Sequence, residues 1–240
     1  MSGFKAVLAG DAAVLLEFGQ EIDERVNREV QRLAQALLSS PPKGVSGAVP
    51  AYTTLLVEFD PLVTSAQAVI DRARALTRQG GDAPGRRFLV PTCYGGAFGP
   101  DLEEVARQLG LSPDSVVERH AAQDFRIFCL GFSPGFPLCG VLPQELAIPR
   151  RTTPRPKVPV GSVGLAGRQT GVYPATSPGG WQLIGRTPVP LFDVGRDPPV
   201  VFGPGDRLRF VPIDAAEYEQ LEQAAANGGL VLEEAPDGQG

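Results

Sequence analysis

The chain has 240 residues, of which 42% are hydrophobic and 20% charged, with a net charge of −5 and an isoelectric point near 5.0. This composition is typical of a globular protein with one large or two modest domains, and no apolar stretch approaches the roughly 20 residues that a membrane span requires. An acidic chain with only three lysines also argues against a nucleic-acid-binding domain, because such domains are usually basic.

Targeting and metal-binding signals are weak. The segment from Met1 to Lys5 holds one basic residue and leads into no long apolar core, so we expect a cytoplasmic protein. Cys93, Cys129 and Cys139 form an odd set without C-x-x-C spacing, which predicts reduced thiols. The single histidine, His120, stands in no metal-ligand motif, so we expect no metal site.

The first part of the chain alternates strand and helix signals. The predicted elements are a strand at 13–18, a helix whose apolar residues recur from Ile22 to Leu37, strands at 45–49 and 53–59, a helix at about 65–78 and a strand at 87–91. This β-α-β-β-α-β order predicts a small ferredoxin-like α/β domain over residues 1–85. The run from Gly80 to Gly85 predicts a linker at its end.

The remainder predicts a β-barrel domain over residues 86–240. Two short helices are expected at about 101–109 and 113–120, the second with Ser112 as N-cap and Pro113 at the first helical position. Roughly a third of residues 131–190 are Gly or Pro, but aromatic and aliphatic residues recur among them, which favours short strands joined by tight turns. A strand at 206–211 and a helix at 218–227 complete the prediction.

Charge is unevenly distributed along the chain. Residues 120–186 hold seven Arg or Lys against Asp124 and Glu145, although the whole chain is acidic. Four of these cations lie between prolines in the segment 149–157, where restricted backbone freedom can hold them at defined positions. The planar fork of arginine suits a carboxylate or a phosphate, so a small anionic ligand is expected; a solvated basic loop is the alternative.

A hydrolase motif is present but incomplete. Residues 131–135 read Gly-Phe-Ser-Pro-Gly and match the G-x-S-x-G nucleophile elbow. The residue after the serine should donate its N–H to the oxyanion, and here it is Pro134, which has none. His120 also precedes the serine, whereas histidine follows it in α/β-hydrolases. A structured turn is therefore the better interpretation.

Three segments combine hydroxyl-bearing side chains with glycines and could contact a ligand. They lie in Gly161–Gly164, Gln169–Tyr173 and Ser177–Trp181, where glycines would let a ligand reach the main chain. Barrel turns with Trp181 in the core are the alternative, and a helix C-terminal cap is the alternative for His120. The chain contains no G-x-x-x-x-G-K-[ST] sequence, so an ATP site formed by it would not be a P-loop.

The longest runs of these motifs resemble the family that includes KipI, allophanate hydrolase subunit 1 and the B-type subunits of bacterial 5-oxoprolinases. The resemblance is carried by GF-PGF at 131–136, PR---PR at 149–155, VP-GSV at 158–163, QTG-YP at 169–174 and SPGGW---GRTP at 177–188. Shorter matches at Gly10-Asp11, 49–52, 94–102 and Gly205-Asp206 extend it over nearly the whole chain.

The resemblance implies a cyclophilin-like β-barrel after the α/β domain and an ATP-dependent cleavage of 5-oxo-L-proline to L-glutamate. It also implies partners: the homologous barrel protein of 5-oxoprolinase, its C-type subunit, together with a LamB/YcsF-like protein, its A-type subunit. ATP would be bound by the assembled complex. Two alternatives remain open, a KipI-type inhibitor of a sensor histidine kinase and a component of an allophanate or urea carboxylase system.

On this basis we predict a site for a small anionic substrate. His120 and Arg155 are the predicted catalytic residues. The predicted substrate-binding residues are Arg150, Ser162, Gln169, Thr170 and Ser177. The chain is expected to be inactive without its partners, because one histidine is a poor supply of general acid and base.

Overall fold

The computed structural model describes residues 3–77, 85–229 and 232–235. Within it the chain divides into two compact units, Met1–Pro84 and Gly85–Gly240. Of the predicted linker from Gly80 to Gly85, only Gly85 belongs to the described residues.

The first unit is an antiparallel four-stranded sheet with two helices. Its strands are β1 (Lys5–Leu8), β2 (Ala13–Glu17), β3 (Val45–Pro50) and β4 (Thr54–Phe59), and its helices are α1 (Glu24–Ser39) and α2 (Ala66–Leu76). The strands are ordered β1-β2-β4-β3. Side chains alternate along a strand, so one face of the sheet packs on the helices and buries Val14, Leu16, Leu55 and Val57.

Local signals explain both helices. The Asp23 carboxylate accepts a hydrogen bond from the Val26 N–H at the start of α1, and the Ser65 hydroxyl accepts one from the Ala68 N–H at the start of α2. In α1 the buried residues Val30, Leu33 and Leu37 recur at helical spacing. These are the elements that the apolar periodicity predicts.

The opposite face of this sheet carries an apolar row. Val7 lies opposite Leu15, Leu15 opposite Leu56, and Leu56 opposite Val49. The two end residues are exposed, Val7 by 37% and Val49 by 52%. The row therefore presents apolar side chains from all four strands on the face away from the helices.

The second unit contains the barrel. Its elements are β5 (Arg87–Tyr94), α3 (Leu102–Leu109), α4 (Pro113–Ala121), β6 (Asp124–Leu130), β7 (Pro137–Gly140), β8 (Arg155–Val158), β9 (Ser162–Ala166), β10 (Gln169–Val172), β11 (Ser177–Gly179), β12 (Gln182–Arg186), β13 (Arg207–Ile213), α5 (Ala215–Ala226) and β14 (Glu233–Ala235). Seven strands in the order β12-β9-β10-β7-β6-β13-β5 close on themselves, because β12 also pairs with β5. β8 and β11 form a separate two-stranded antiparallel sheet.

The predicted fold class is confirmed, since a small mixed α/β sheet unit precedes a closed seven-stranded β-barrel. One strand differs from its predicted place. The strand beginning at Arg87 pairs with β13, β12 and β14 in the barrel, and β1 is the fourth strand of the first sheet instead. Apolar alternation identifies a strand but does not identify its neighbours, which are set by long-range hydrogen bonding.

The barrel wall separates two apolar clusters. The inward residues include Phe125, Ile127 and Leu165, which belong to the main core. On the outer face, Phe136, Tyr173 and Trp181 form a smaller cluster with Val158, Ala166 and Leu183. Residues of the same strand thus contribute to different environments, and this separation decides where the predicted site residues lie.

Candidate functional site

His120 lies in the core of the barrel unit. It occupies the last turn of α4 and is fully buried, packed against the rings of Phe125 and Phe210 at centroid distances of 5.1 and 4.5 Å. Its Nδ1 is 2.8 Å from the Tyr94 hydroxyl and its Nε2 is 2.9 Å from the Thr170 hydroxyl. Both ring nitrogens therefore have partners within the protein.

The burial of His120 determines its charge. Desolvation lowers the pKa of His120 from its ordinary value of 6.5 to about 3, so the ring is neutral at pH 7. A neutral histidine gains little from the helix dipole. The geometry therefore does not favour the alternative in which His120 acts as a C-terminal cap of α4. The same burial raises the pKa of Tyr94. The catalytic role of His120 stays a prediction, and the structure does not bring it together with the arginines.

A cleft of about 90 Å³ lies on the outer face of the barrel unit. It is lined by Phe132, Phe136, Leu138, Arg150, Tyr173, Gly179, Gly180 and Trp181. Phe136 makes edge-to-face contacts with Tyr173 and Trp181 at centroid distances of 5.0 and 5.5 Å. Such aromatic walls bind a flat, weakly polar ring, and the arginine adds a positive charge.

The G-x-S-x-G sequence forms one side of this cleft as a tight turn. Its backbone closes through hydrogen bonds from Ser133 N–H to the Gly131 carbonyl and from Phe136 N–H to the Ser133 carbonyl. Phe132 takes a left-handed conformation with φ of 66° and is 68% exposed, in contact with the rings of Phe136 and Tyr173. A non-glycine residue in this region is uncommon, and here it places an aromatic ring beside the cleft.

Glycines on the opposite side bring the main chain close to Tyr173. A Cβ atom at Gly179 would collide with the Tyr173 ring and hydroxyl, so only glycine fits there. Burial raises the pKa of Tyr173, an effect partly opposed by the Trp181 backbone N–H and by the positive charges of Arg150 and Arg155. The tyrosine is therefore within the electrostatic reach of both arginines.

The basic loop is organised by Asp101, which the sequence marks as the start of a helix and as part of the family match at 94–102, but not as a partner of this loop. Asp101 is 7% exposed, and its Oδ1 lies 2.6 Å from Arg155 Nη2 and 3.1 Å from Arg151 Nη1. Its Oδ2 accepts a 2.7 Å hydrogen bond from the Leu183 N–H in β12. Asp101 is the N-cap residue of α3, yet its side chain makes no capping bond to that helix.

Some buried polar atoms of the second unit have no hydrogen-bond partner in the part of the chain that the structure describes. Among the described residues they include Arg151 Nε, Arg155 Nη1, Ser162 Oγ and Ser177 Oγ. Buried polar atoms in folded proteins are almost always paired with protein groups, ordered water or a ligand, and these atoms are ones that the described part of the protein does not itself pair. Two belong to the arginines that Asp101 holds.

The predicted site residues fall into separate places. Arg150 lines the cleft, and Arg155 pairs with Gly179 at its edge, in the same strand pair as Ser177. Thr170 is buried and contacts His120 on the inner side of the barrel. Ser162 and Gln169 begin β9 and β10, and neither lines the cleft.

The part of the chain that the structure describes contains no cluster of three or more His, Cys, Asp or Glu side chains that could hold a metal ion. None of the helices described is both long and apolar enough to cross a lipid bilayer. Cys93, Cys129 and Cys139 are buried free thiols, and burial raises the pKa of Cys129 to about 11.

Comparison with known proteins identifies the family. The carboxyltransferase domain, subdomain C and D, matches residues 4–202. The chain belongs to this carboxyltransferase-domain family.

Its relatives in the carboxyltransferase-domain family include two proteins named as the B-type subunits of 5-oxoprolinase. The one from Bacillus subtilis is 39% identical over 227 residues, which cover 89% of this chain and 95% of the relative. The one from Escherichia coli O157:H7 is 43% identical over 214 residues, covering 88% and 97%.

Solved structures show the same fold. The crystal structure of TTHA0988 is 40% identical with a TM-score of 0.76, and the match covers 85% of this chain and 40% of that longer chain. The Kluyveromyces lactis urea amidolyase is 20% identical with a TM-score of 0.78, covering 97% of this chain and 16% of its own, and shows the fold alone.

Proposed function

We propose that this chain is one component of an ATP-dependent 5-oxoprolinase, which opens 5-oxo-L-proline to L-glutamate. The observation that carries the proposal is the similarity to relatives named as 5-oxoprolinase subunits, at 39% and 43% identity over at least 95% of their own lengths. The substrate of the proposal is taken from the names of these relatives. In this chain we assign it to the cleft.

The chemistry of 5-oxoproline suits the cleft. The substrate is a small flat lactam ring with one carboxylate, so it needs apolar walls for the ring and a cation for the charge. Phe136, Tyr173 and Trp181 form the walls, Arg150 places a cation at the cleft, and Arg155 pairs with the cleft residue Gly179 on the neighbouring strand. Phosphorylation of the lactam oxygen by ATP would make the ring carbon electrophilic to water. Water adds to that carbon, the ring C–N bond breaks as the nitrogen takes up a proton, and a second water hydrolyses the resulting acyl phosphate to glutamate and phosphate.

We assign the predicted residues to two roles. Arg150, Arg155 and Ser177 belong to the substrate site, because they lie at the cleft or on the strand pair that borders it. His120 and Thr170 have a structural role in the barrel interior, because both ring nitrogens of His120 are hydrogen-bonded, one to Tyr94 and one to Thr170. Ser162 and Gln169 remain further binding residues for a ligand that extends beyond the cleft.

The active site is completed by other proteins of the complex in this proposal. Among the described residues, the cleft lining contains aromatic, aliphatic and glycine residues with one arginine, and it includes no carboxylate, histidine or cysteine to act as base or nucleophile. The proposed partners are a homologous barrel protein and a LamB/YcsF-like protein, with ATP bound by the assembled complex. The apolar row Val7, Leu15, Leu56 and Val49 supports an interaction surface on the first unit.

The test is reconstitution. Purified chain alone should release no glutamate from 5-oxoproline and ATP, whereas the chain mixed with both companion subunits should do so, with ATP omitted as the control. Steady glutamate formation by the isolated chain, abolished by Arg155→Ala, would show that the complete site lies within this chain. Turnover of allophanate in place of 5-oxoproline, or inhibition of a sensor kinase without turnover, would support the alternative functions.

A further inference from the structure

Asp101 joins three segments that lie far apart in the chain. Its side chain contacts Arg151 and Arg155, 50 and 54 residues away, and the backbone of Leu183, 82 residues away. The Asp101 N–H also donates to the Leu183 carbonyl at 2.9 Å. The carboxylate is thus held on both sides, and the two arginines share a single anchored oxygen.

The charges around Asp101 do not cancel. Two guanidinium groups face one carboxylate, which leaves one positive charge in a place where Asp101 is 7% exposed. Arg151 Nε and Arg155 Nη1 are enclosed and have no hydrogen-bond partner among the described residues. Water, a carbonyl oxygen or an anion can satisfy an N–H donor, and of these only an anion also offsets the net positive charge of the two guanidinium groups.

We propose that Asp101 is a positioning residue that presents Arg151 and Arg155 to a singly charged carboxylate. This inference rests on the proposed function, in which that carboxylate belongs to 5-oxoproline. The two oxygens of a carboxylate accept one N–H from each arginine. A dianion such as phosphate is disfavoured because Asp101 repels its second charge.

The arginine pair borders the cleft through its backbone. Arg151 N–H donates to the Gly180 carbonyl at 2.8 Å, and Arg155 pairs with Gly179, and both glycines line the cleft. The side chains of Arg151 and Arg155 are 36% and 22% exposed, so part of each side chain is open to solvent beside Asp101. In this inference the ring of the ligand lies in the cleft and its carboxylate contacts the solvent-exposed parts of the two arginine side chains.

Asp101→Asn tests this role because the amide keeps the shape and loses the charge. Its NH₂ group cannot accept the Leu183 N–H while its oxygen holds both arginines. Calorimetry on the chain, alone and mixed with its companion subunits, should show 5-oxoproline binding weakened at least about tenfold. The preference for 5-oxoproline over inorganic phosphate should fall as well, because the variant site has one more positive charge.

A matched control removes a carboxylate from an exposed ion pair in the same unit. Glu145 lies 3.0 Å from Arg119, and the two side chains are 49% and 44% exposed. Glu145→Gln should leave both affinities unchanged. Wild-type affinity and wild-type anion preference in Asp101→Asn would overturn the proposal.

A second measurement does not depend on that variant. Nitrogen-15 NMR of the Arg151 Nε–H group, assigned with Arg151→Lys, should show a shift on titration with 5-oxoproline or acetate and none with neutral 2-pyrrolidinone. If Asp101→Asn does not fold, Arg151→Lys carries the binding test, since lysine keeps the charge but has no Nε–H, and it should weaken 5-oxoproline binding. An Arg151 Nε–H signal unmoved by both carboxylates overturns the proposal.

The outcomes also separate this inference from the proposed function. A shift with acetate but not with 5-oxoproline supports the positioning role and counts against 5-oxoproline as substrate. If the complex forms glutamate while the Arg151 Nε–H signal does not shift, the proposed function is supported and the positioning role of Asp101 is overturned.

Discussion

The inside of the barrel and the arginine pair beside the outer cleft both bury polar atoms, but they do so differently. Inside, His120 is paired at both nitrogens, by Tyr94 and by Thr170, and is neutral. Outside, Arg151 and Arg155 carry charge and each keeps an enclosed N–H group without a partner among the described residues. A buried polar group whose bonds are all made internally stabilises a fold, whereas one with bonds left over is suited to a ligand.

The largest expected effect concerns Arg155, which lies beside the cleft. Arg155→Ala should lower kcat/KM of the reconstituted complex for 5-oxoproline at least about thirtyfold, since removing one member of a close charge pair costs about 2 kcal/mol or more. Arg155→Lys should lose less, because lysine keeps the charge but loses the planar fork. Steady-state kinetics on both variants check this. Equal kinetics in wild type and both variants would remove Arg155 from the substrate site.

The next effect concerns the interior and is seen in stability. The folded-state pKa of His120, about 3, lies below its ordinary value of 6.5, so the unfolded chain binds the proton first as the pH falls. This contribution to stability is complete above pH 6.5 and is lost as the pH falls toward 3. The loss has a limiting slope of about 1.4 kcal/mol per pH unit.

His120→Gln should therefore flatten the decline of unfolding free energy over this pH range, measured by denaturant titration at several pH values. Since His120 is the only histidine in the chain, the difference from wild type isolates its contribution. At neutral pH the folded variant should keep its turnover in the complex. A large fall in turnover with unchanged stability would instead give His120 a catalytic role.

The smallest expected effect concerns the side of the cleft. Phe132 is 68% exposed, so Phe132→Ala should change the free energy of unfolding by no more than about 0.5 kcal/mol. Loss of an aromatic contact with the substrate ring should raise KM a few-fold, corresponding to about 1 kcal/mol. Leu62→Ala is a matched control, because Leu62 is 94% exposed in the first unit and should change neither quantity. Identical KM values in both variants would contradict a substrate in this cleft.

Much of the fold is predictable because its signals are local. Ser112 and Pro113 mark the start of α4, and the hydroxyl of Ser112 does accept the Ser115 N–H. The pattern of apolar residues likewise predicts α1 and its buried face. Strand β1 is not predicted, since its four residues are mostly exposed and show no clear alternation. The sheet to which β5 belongs is also beyond reach, because any strand of its type could pair in either sheet.

The candidate site is predicted less completely. Arg150 and Arg155 stand out in the sequence because prolines flank a cluster of cations, and both arginines lie at or beside the cleft. Asp101 stands out as a helix start and as part of the family match at 94–102, but no local signal connects it with an arginine 54 residues away. The prediction places His120 and Arg155 in one site, but the histidine lies in the barrel core with Thr170 as its partner.

By itself the sequence determined the elements that depend on neighbouring residues: capped helices, tight turns at glycine and proline, and a basic loop stiffened by proline. It also determined the family, through motifs spread over nearly the whole chain. Only the tertiary structure decided which polar groups satisfy one another and which are left with free donors. That difference depends on closure of the barrel, which places Thr170 on the inside together with His120. Asp101 and its two arginines lie outside the barrel. No signal within a few residues carries that information.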